Sequence, residues 1–211
     1  MRAGKLLIRH AIPEDAVVAA DLIAMTMGAF GDQALGFGER GRTLQALRRF
    51  FVQRFSRFSH DAAWIAFVDD RPAGLLLGFP GREYLRRNAV LAWQVWGVYG
   101  VIDALRLIGL STSLAQSKET ERDEFYIDHI AVFPDFQRQG IGRELLSWAE
   151  TLAAQNGLKR LSLIVERGNE PAHALYRAVG FQIVETHPAS EDYQKRFHTP
   201  GFDRMVKVMS G

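Results

Sequence analysis

The tightest constraint on this chain is the run from Tyr126 to Arg143. Its first half holds Tyr126, Ile127, Ile130, Val132 and Phe133, and ends at Pro134-Asp135. β-Branched and aromatic residues closed by a turn pair predict a strand. Its last half sets Gly140 and Gly142 before Glu144-Leu145-Leu146-Ser147-Trp148, a spacing that predicts a helix start. The tight, basic turn between them would aim several backbone N–H groups at one point, at the positive end of a helix dipole. Such a point suits a phosphate. Gly140 and Gly142 would let the phosphate approach with no Cβ in the way, and Arg138 and Arg143 would add charge. An unliganded strand–turn–helix connection could use the same residues. No third glycine stands at dinucleotide spacing, and no Lys-Ser/Thr follows, so neither the Rossmann fingerprint nor the Walker loop fits.

The wider stretch is more specific. Val132-Phe133-Pro134, followed by Gln137-Arg138-Gln139-Gly140-Ile141-Gly142-Arg143, resembles the acyl-CoA-binding motif of the GCN5-related N-acetyltransferases, the GNAT superfamily, whose pattern is Arg/Gln-x-x-Gly-x-Gly/Ala. A second match follows the apolar run Leu161 to Val165. Asn169, then Ala172-x-x-Leu175-Tyr176-x-x-x-Gly180-Phe181, resembles the family's Asn…Ala-x-x-Leu-Tyr-x-x-x-Gly-Phe segment. The two motifs cover residues 123 to 185.

The resemblance implies an α/β fold with a mixed, splayed central sheet flanked by helices, and acetyl-CoA as cosubstrate. It implies that Arg138, Gln139, Gly140, Ile141, Gly142 and Arg143 hold the diphosphate. It places the pantetheine arm against the main chain of Ile130, Ala131 and Val132. It makes Asn169 a cofactor contact, a role compatible with capping the helix that starts at Pro171. It makes Tyr176 the general acid for the leaving thiolate, where a bare reading of the helix leaves a packed aromatic. For the base it points to Asp128. Strand alternation sets Tyr126, Asp128, Ile130 and Val132 on one side and His129 on the other. Burial would raise the pKa of Asp128. An aspartate that orients the substrate ammonium, or pairs with an arginine, is the competing reading. Some family members carry a glutamate base on the strand before the asparagine. That position is Ile164 here, with Glu166 two residues on, so that base is not carried over.

The 211 residues suffice for one domain with a full core, and 1–211 reads as a single domain. Hydrophobic residues make up 47% and charged residues 24%, as in ordinary globular proteins. A net charge of +2 does not force a nucleic-acid role. With no cysteine there is no disulfide, thiol nucleophile or thiolate metal site, and the histidines show no metal-ligand spacing. The apolar run after Met1 is too short for a signal peptide, which points to the cytoplasm.

Lys5 to Arg9 predicts a first strand, and Pro13-Glu14-Asp15 a helix start. Gly31, Gly36, Gly38 and Gly41 predict a mobile loop. A second helix is expected over Thr43–Phe58, with Arg48, Arg49, Arg54 and Arg57 on its solvated face or steering an acidic acceptor. Trp64–Val68 and Ala73–Phe79, joined by Asp69-Asp70-Arg71-Pro72, predict a buried hairpin. Residues 82–122 are a strongly apolar insertion between the third and fourth strands. It reads as helix packed on the domain or on a second copy, as a lid over the acceptor, or as a membrane segment, although its uncharged stretch falls short of the about 18 residues a span needs. Ser111 to Asp123 reads as a loop. Strands follow at Leu158–Val165, Phe181–Glu185 and Arg204–Val208, with a helix at Pro171–Val179 and a loop from Thr186 to Gly201.

These readings combine into an acetyl-CoA-dependent N-acetyltransferase that moves an acetyl group to a primary amine of a small molecule or peptide by direct attack. Alternatives are a protein N-terminal or lysine acetyltransferase, and a non-catalytic acyl-CoA-binding module. A homodimer through 82–122 is possible; no nucleic acid, membrane or metal is expected.

Overall fold

A computed structural model describes residues 4–111, 119–197 and 199–209. Seven strands form one mixed sheet: β1 (Leu6–His10), β2 (Ala63–Val68), β3 (Arg71–Pro80), β4 (Glu124–Val132), β5 (Arg160–Glu166), β6 (Gln182–Pro188) and β7 (Gly201–Val208). Their order is β1-β2-β3-β4-β5-β7-β6. All neighbours are antiparallel except β4 and β5. The hairpin turns on Asp69 and Asp70, both at positive φ (47° and 62°), the geometry that matches strand twist in a two-residue turn.

Period-two alternation explains why β3 is apolar on both faces. Leu75, Leu77 and Phe79 join a core under α1 (Ala16–Gly36) and α2 (Arg40–Phe51), with Leu22, Ile23, Leu47 and Phe50. Leu76 points the other way, into a core with Phe125, Leu145, Leu161 and Leu163. That second core is covered by α4 (Ile141–Gln155) and α5 (Glu170–Ala178). The insertion forms α3 (Tyr84–Ser111), broken at Gly100 (φ 73°, ψ 177°). Its Leu91, Val95, Val98 and Tyr99 pack on the α1/α2 side. Of the expected 111–123 loop, residues 112–118 lie outside the described residues. Among those described, no helix is long and apolar enough to cross a membrane.

The sheet opens at its centre. β4 and β5 pair only from Glu124 with Arg160 to Ile127 with Leu163, although both strands run on. At the closed end Glu124 is fully buried, ion-paired to Arg204 and to Arg160. Thr120 and Ser162 hydroxyls meet there at 2.9 Å. The opening begins at a bulge: Ile127 faces Gly78 while His129 faces Leu77, so Asp128 is the extra residue on β4. A bulged strand bends and twists more sharply, which turns β4 away from β5.

Four sequence expectations change. The glycine-rich stretch is helix: α1 continues to Gly36 through a kink at Gly28 (φ 54°, ψ −146°), and α2 starts at Arg40. One non-helical glycine bends the axis without ending the helix. The second helix stops at Phe51, and Arg57 lies in an irregular segment with its side chain only 17% exposed. The stretch 186–201 carries α6 (Glu191–Phe197); His198 lies outside the described residues. Finally, β7 begins at Gly201, earlier than expected, and inserts between β5 and β6.

Candidate active site

The glycine turn is a cradle of free amides. Gly140 is the N-cap of α4 at φ 86°, and Arg138 also sits at positive φ, 60°. The amides of Arg138, Gln139 and Gly140 donate to no backbone group among the described residues. Those of Ile141 and Gly142 stand in the first helical turn, where no intrahelical acceptor exists. Only with Arg143 and Glu144 does the ladder begin, on Gly140 O at 3.0 and 3.1 Å. Gln139 Nε2 donates to Asp135 O (3.0 Å) and steadies the turn. A Cβ on Gly140 would meet no protein atom within 4 Å, so the space before these amides is open.

The cradle adjoins the split. Backbone groups alternate between the two sides of a strand. Phe133 N donates to Ala73 O on β3, so Ala131, two residues back, also turns to β3. Ile130 and Val132 therefore face the opening. Of the three main-chain positions expected to meet a pantetheine arm, these two are available and Ala131 is not. Gln137 Nε2 already bonds Val132 O at 3.0 Å.

A cleft of about 600 Å³ leads from the split. Ile130, Asn169 and Tyr176 line it, with Arg57, Glu119, Asp128 and His129 deeper among α1, α3 and β4. Tyr176 is 8% exposed, and burial pushes its hydroxyl pKa up to about 12. That hydroxyl has no hydrogen-bond partner among the described residues. A neutral phenol facing an open cleft has a proton to give. Asn169 does cap α5, accepting from Ala172 N at 3.2 Å. Ile164 and Glu166 also line the cleft, so the strand position that carries a glutamate base elsewhere presents an isoleucine.

Asp128 differs from expectation. Burial raises its pKa, but its polar neighbours, led by the Arg57 guanidinium, together more than reverse this, and the carboxyl is held below its ordinary value. Arg57 Nε and Nη2 donate to the two carboxylate oxygens at 2.9 and 2.5 Å. A bidentate arginine pair of this kind fixes a carboxylate in its ionised form. Arg57 also donates to Glu119 at 2.8 Å, and the Tyr126 hydroxyl donates to Glu119 at 2.5 Å. The competing reading of Asp128, pairing with an arginine, is the one seen.

The bulge also overturns the strand parity. Ile130 and Val132 pack into the α4 core, whereas Tyr126 and Ala131 pack into the α1/α2 core. His129 shares the side of Asp128, not the opposite one: its Nε2 lies 3.8 Å from the carboxylate, and its ring stacks on Phe58 at 5.6 Å. Burial lowers the His129 pKa, outweighing the pull of Asp128, so the ring is neutral. Thr26 Oγ1 donates its single hydrogen to Ile23 O (2.7 Å) and sits 2.6 Å from His129 Nδ1. The tautomer that fits this pair has Nδ1 donating to Oγ1, with the lone pair on Nε2.

Arg57, Glu119 and Thr26 were not singled out as site residues by sequence. Arg57 was one of four similar arginines, and Glu119 follows an unmatched insertion. A bulge at Asp128 has no local signature that would have promoted His129. Among the described residues, no cluster of three metal-ligating side chains exists.

The comparisons agree with this geometry. An alanine N-acetyltransferase of ribosomal protein bS18 from Escherichia coli strain K12 is 44% identical over 59 residues, 28% of this chain and 40% of that protein. A mycothiol acetyltransferase from Corynebacterium jeikeium is 29% identical over 96 residues, 43% of this chain and 27% of its own length. The chain thus spans less than half the length of these curated relatives. An N-acetyltransferase structure from Staphylococcus aureus Mu50 superposes with a TM-score of 0.70 at 23% identity, over 95% of this chain and 99% of that one, which is a likeness of fold. The family model for GNAT acetyltransferases, whose cosubstrate is acetyl-CoA, matches residues 37–181. Cradle, split sheet and family match converge: the chain belongs to the acetyltransferase (GNAT) family.

Proposed function

We propose that this protein transfers an acetyl group from acetyl-CoA to a primary amine by direct attack within one ternary complex. The observation that carries the reading is the row of amides from Arg138 to Gly142 that meet no backbone acceptor among the described residues, beside the ends of β4 and β5 where the two strands no longer pair with each other. Those amides, with Arg138 and Arg143, would bind the diphosphate. Ile130 and Val132 would take the pantetheine arm as an added strand, and Asn169 would add a contact while capping α5.

For the chemistry, the amine nitrogen bonds to the thioester carbonyl and loses a proton, the C–S bond breaks, and the thiolate gains a proton. Tyr176 would supply the last proton. His129 would accept the first at Nε2, because it is neutral while Asp128 is held ionised by Arg57. Asp128 then acts as a positioning residue beside the ring. General acid or base help of this type contributes typically about 10²- to 10⁴-fold.

The reading treats 1–211 as one acetyltransferase domain with a cytoplasmic setting, and takes a small molecule or short peptide as acceptor. A protein N-terminus or lysine remains the second acceptor class, favoured by the bS18-alanine relative. A second copy would sit on the outer face of α3. The chain has no charged residue from Asn88 to Ile102, and Leu85, Trp93 and Ile102 are 81%, 78% and 71% exposed. A two-fold contact needs such a self-complementary face; a single monomeric species in light scattering would remove it.

The deciding experiment pairs calorimetric titration with acetyl-CoA and thiol release over an amine panel. Saturable binding and amine-dependent release are expected. Absence of heat on folded protein would sink the proposal. Binding without release for any amine would leave the acyl-CoA-binding module instead.

A further inference from the structure

We infer that the acceptor is a small amine with an apolar body and no carboxylate, gripped by an aromatic clasp between α1 and α6. The inference rests on the acetyl-transfer reading above and names the substrate class of that site.

The clasp is made by parts of the chain far apart in sequence. Beyond the Gly28 kink, the Phe30 ring meets Tyr193 at 6.0 Å and Phe197 at 5.6 Å. Tyr193 in turn meets Phe197 at 4.6 Å and Phe202 at 6.0 Å. Arg196 Nη2 donates to Gln33 Oε1 at 2.6 Å, tying the two helices together outside the rings. All four rings line the cleft. Aromatic faces bury alkyl or aryl groups and attract an ammonium. The tie joins the walls, so a folded protein segment would have to part them to enter.

Charge narrows the class further. Among the described residues, the acids Glu119, Asp128 and Glu166 and one arginine, Arg57, line the cleft. Among these, three negative charges against one positive leave an excess of two, which draws a cationic amine inward. Arg57 is already bonded to Asp128 and Glu119. An acceptor carboxylate would therefore meet repulsion and find no uncommitted cation among these lining residues. Discrimination of this kind works by penalising the wrong partner.

The test uses the full chain with acetyl-CoA and follows thiol release. The acceptors are 2-phenylethylamine, hexylamine, phenylalanine and a ten-residue peptide with a free N-terminal alanine. Phenylalanine is 2-phenylethylamine plus a carboxylate, so this pair isolates the charge argument. 2-Phenylethylamine and hexylamine should exceed phenylalanine and the peptide in kcat/KM by about tenfold or more, the factor that about 1.4 kcal/mol supplies. Phe197→Ala should raise the KM for 2-phenylethylamine about tenfold and leave acetyl-CoA affinity unchanged; Phe197→Leu, which keeps apolar bulk, should recover part of it. If acetyl-CoA binds but phenylalanine or the peptide is preferred, or no amine reacts, or both Phe197 variants match wild type, the inference is wrong. Failure to bind acetyl-CoA would instead sink the acetyl-transfer reading beneath it.

Discussion

The two walls of the cleft are built differently. The cofactor wall is almost contiguous: the end of β4, the glycine turn and the start of α4, with α5 beside them. It offers main-chain groups, and its shape follows from two glycines, a proline and a bulge. The acceptor wall is assembled from α1, the segment after α2, α3, Glu119 and α6. It offers side chains, held by an ion-pair network and an aromatic clasp. Main-chain recognition tolerates sequence change as long as the backbone path survives. Side-chain recognition from scattered positions does not. Damage to one wall should therefore leave the other standing, and substitutions can test whether it does.

The largest effect should come from Arg57→Ala. It leaves Asp128 and Glu119 side by side without their cation, with Asp128 only 2% exposed in its side chain. Breaking a buried pair in this way costs about 3–5 kcal/mol, readable by urea denaturation. The fraction that remains folded should bind acetyl-CoA as wild type does. A loss under about 1 kcal/mol would show that the network does not hold the acceptor wall, and the contrast would collapse.

His129→Gln comes next, with about a hundredfold loss of kcat/KM and unchanged acetyl-CoA binding. The pH profile sharpens it. The folded pKa of His129 lies below its ordinary 6.5, so the wild-type acid limb should inflect below 6.5 and vanish in the variant. In the same window the unfolded chain takes up a proton at His129 before the folded one does. Stability from this residue is therefore intact above 6.5 and declines as pH falls beneath it. Melting curves across the profile separate the two losses. A limb that persists in the variant would return the base role to another group.

Gly140→Ala tests the other wall. The new Cβ meets no protein atom, so the cost in stability is the left-handed backbone alone, about 1 kcal/mol. The methyl would stand where the diphosphate approaches the amides, and acetyl-CoA affinity should fall about tenfold or more. Unchanged affinity would mean that the cradle is a turn and nothing else.

The same contrast explains what could be read from the chain. The hairpin, α4, α5 and the glycine turn announce themselves by local pattern, because backbone conformation there is dictated by neighbours in sequence. Leu145, Leu152 and the Gly140–Gly142 pair needed no tertiary information. The bulge at Asp128 did. Strict alternation put His129 on the wrong side, and only the pairing of Leu77 with His129 reveals the slip. Arg57 looked like its three arginine neighbours until the chain left the helix at Phe51 and brought it under β4. The glycines near position 36 signalled a loop, yet tertiary packing on α2 kept α1 helical past Gly28. In each case the missing term was a contact between elements, which local pattern does not carry.

The smallest and most discriminating change is Asn169→Asp. Asparagine and aspartate are near-equal N-caps, and a negative charge at a helix start is mildly favourable. The bond from Ala172 N should persist and the melting temperature should stay at or above the wild-type value. Asn169→Ala, which removes the cap, should lose about 1 kcal/mol. The aspartate has lost the amide hydrogens that a cofactor carbonyl would use, and its charge would stand near a polyanion. Acetyl-CoA affinity in Asn169→Asp should therefore fall several-fold with no loss of stability. If it binds as wild type does, Asn169 serves α5 alone, and the cofactor wall is main chain throughout.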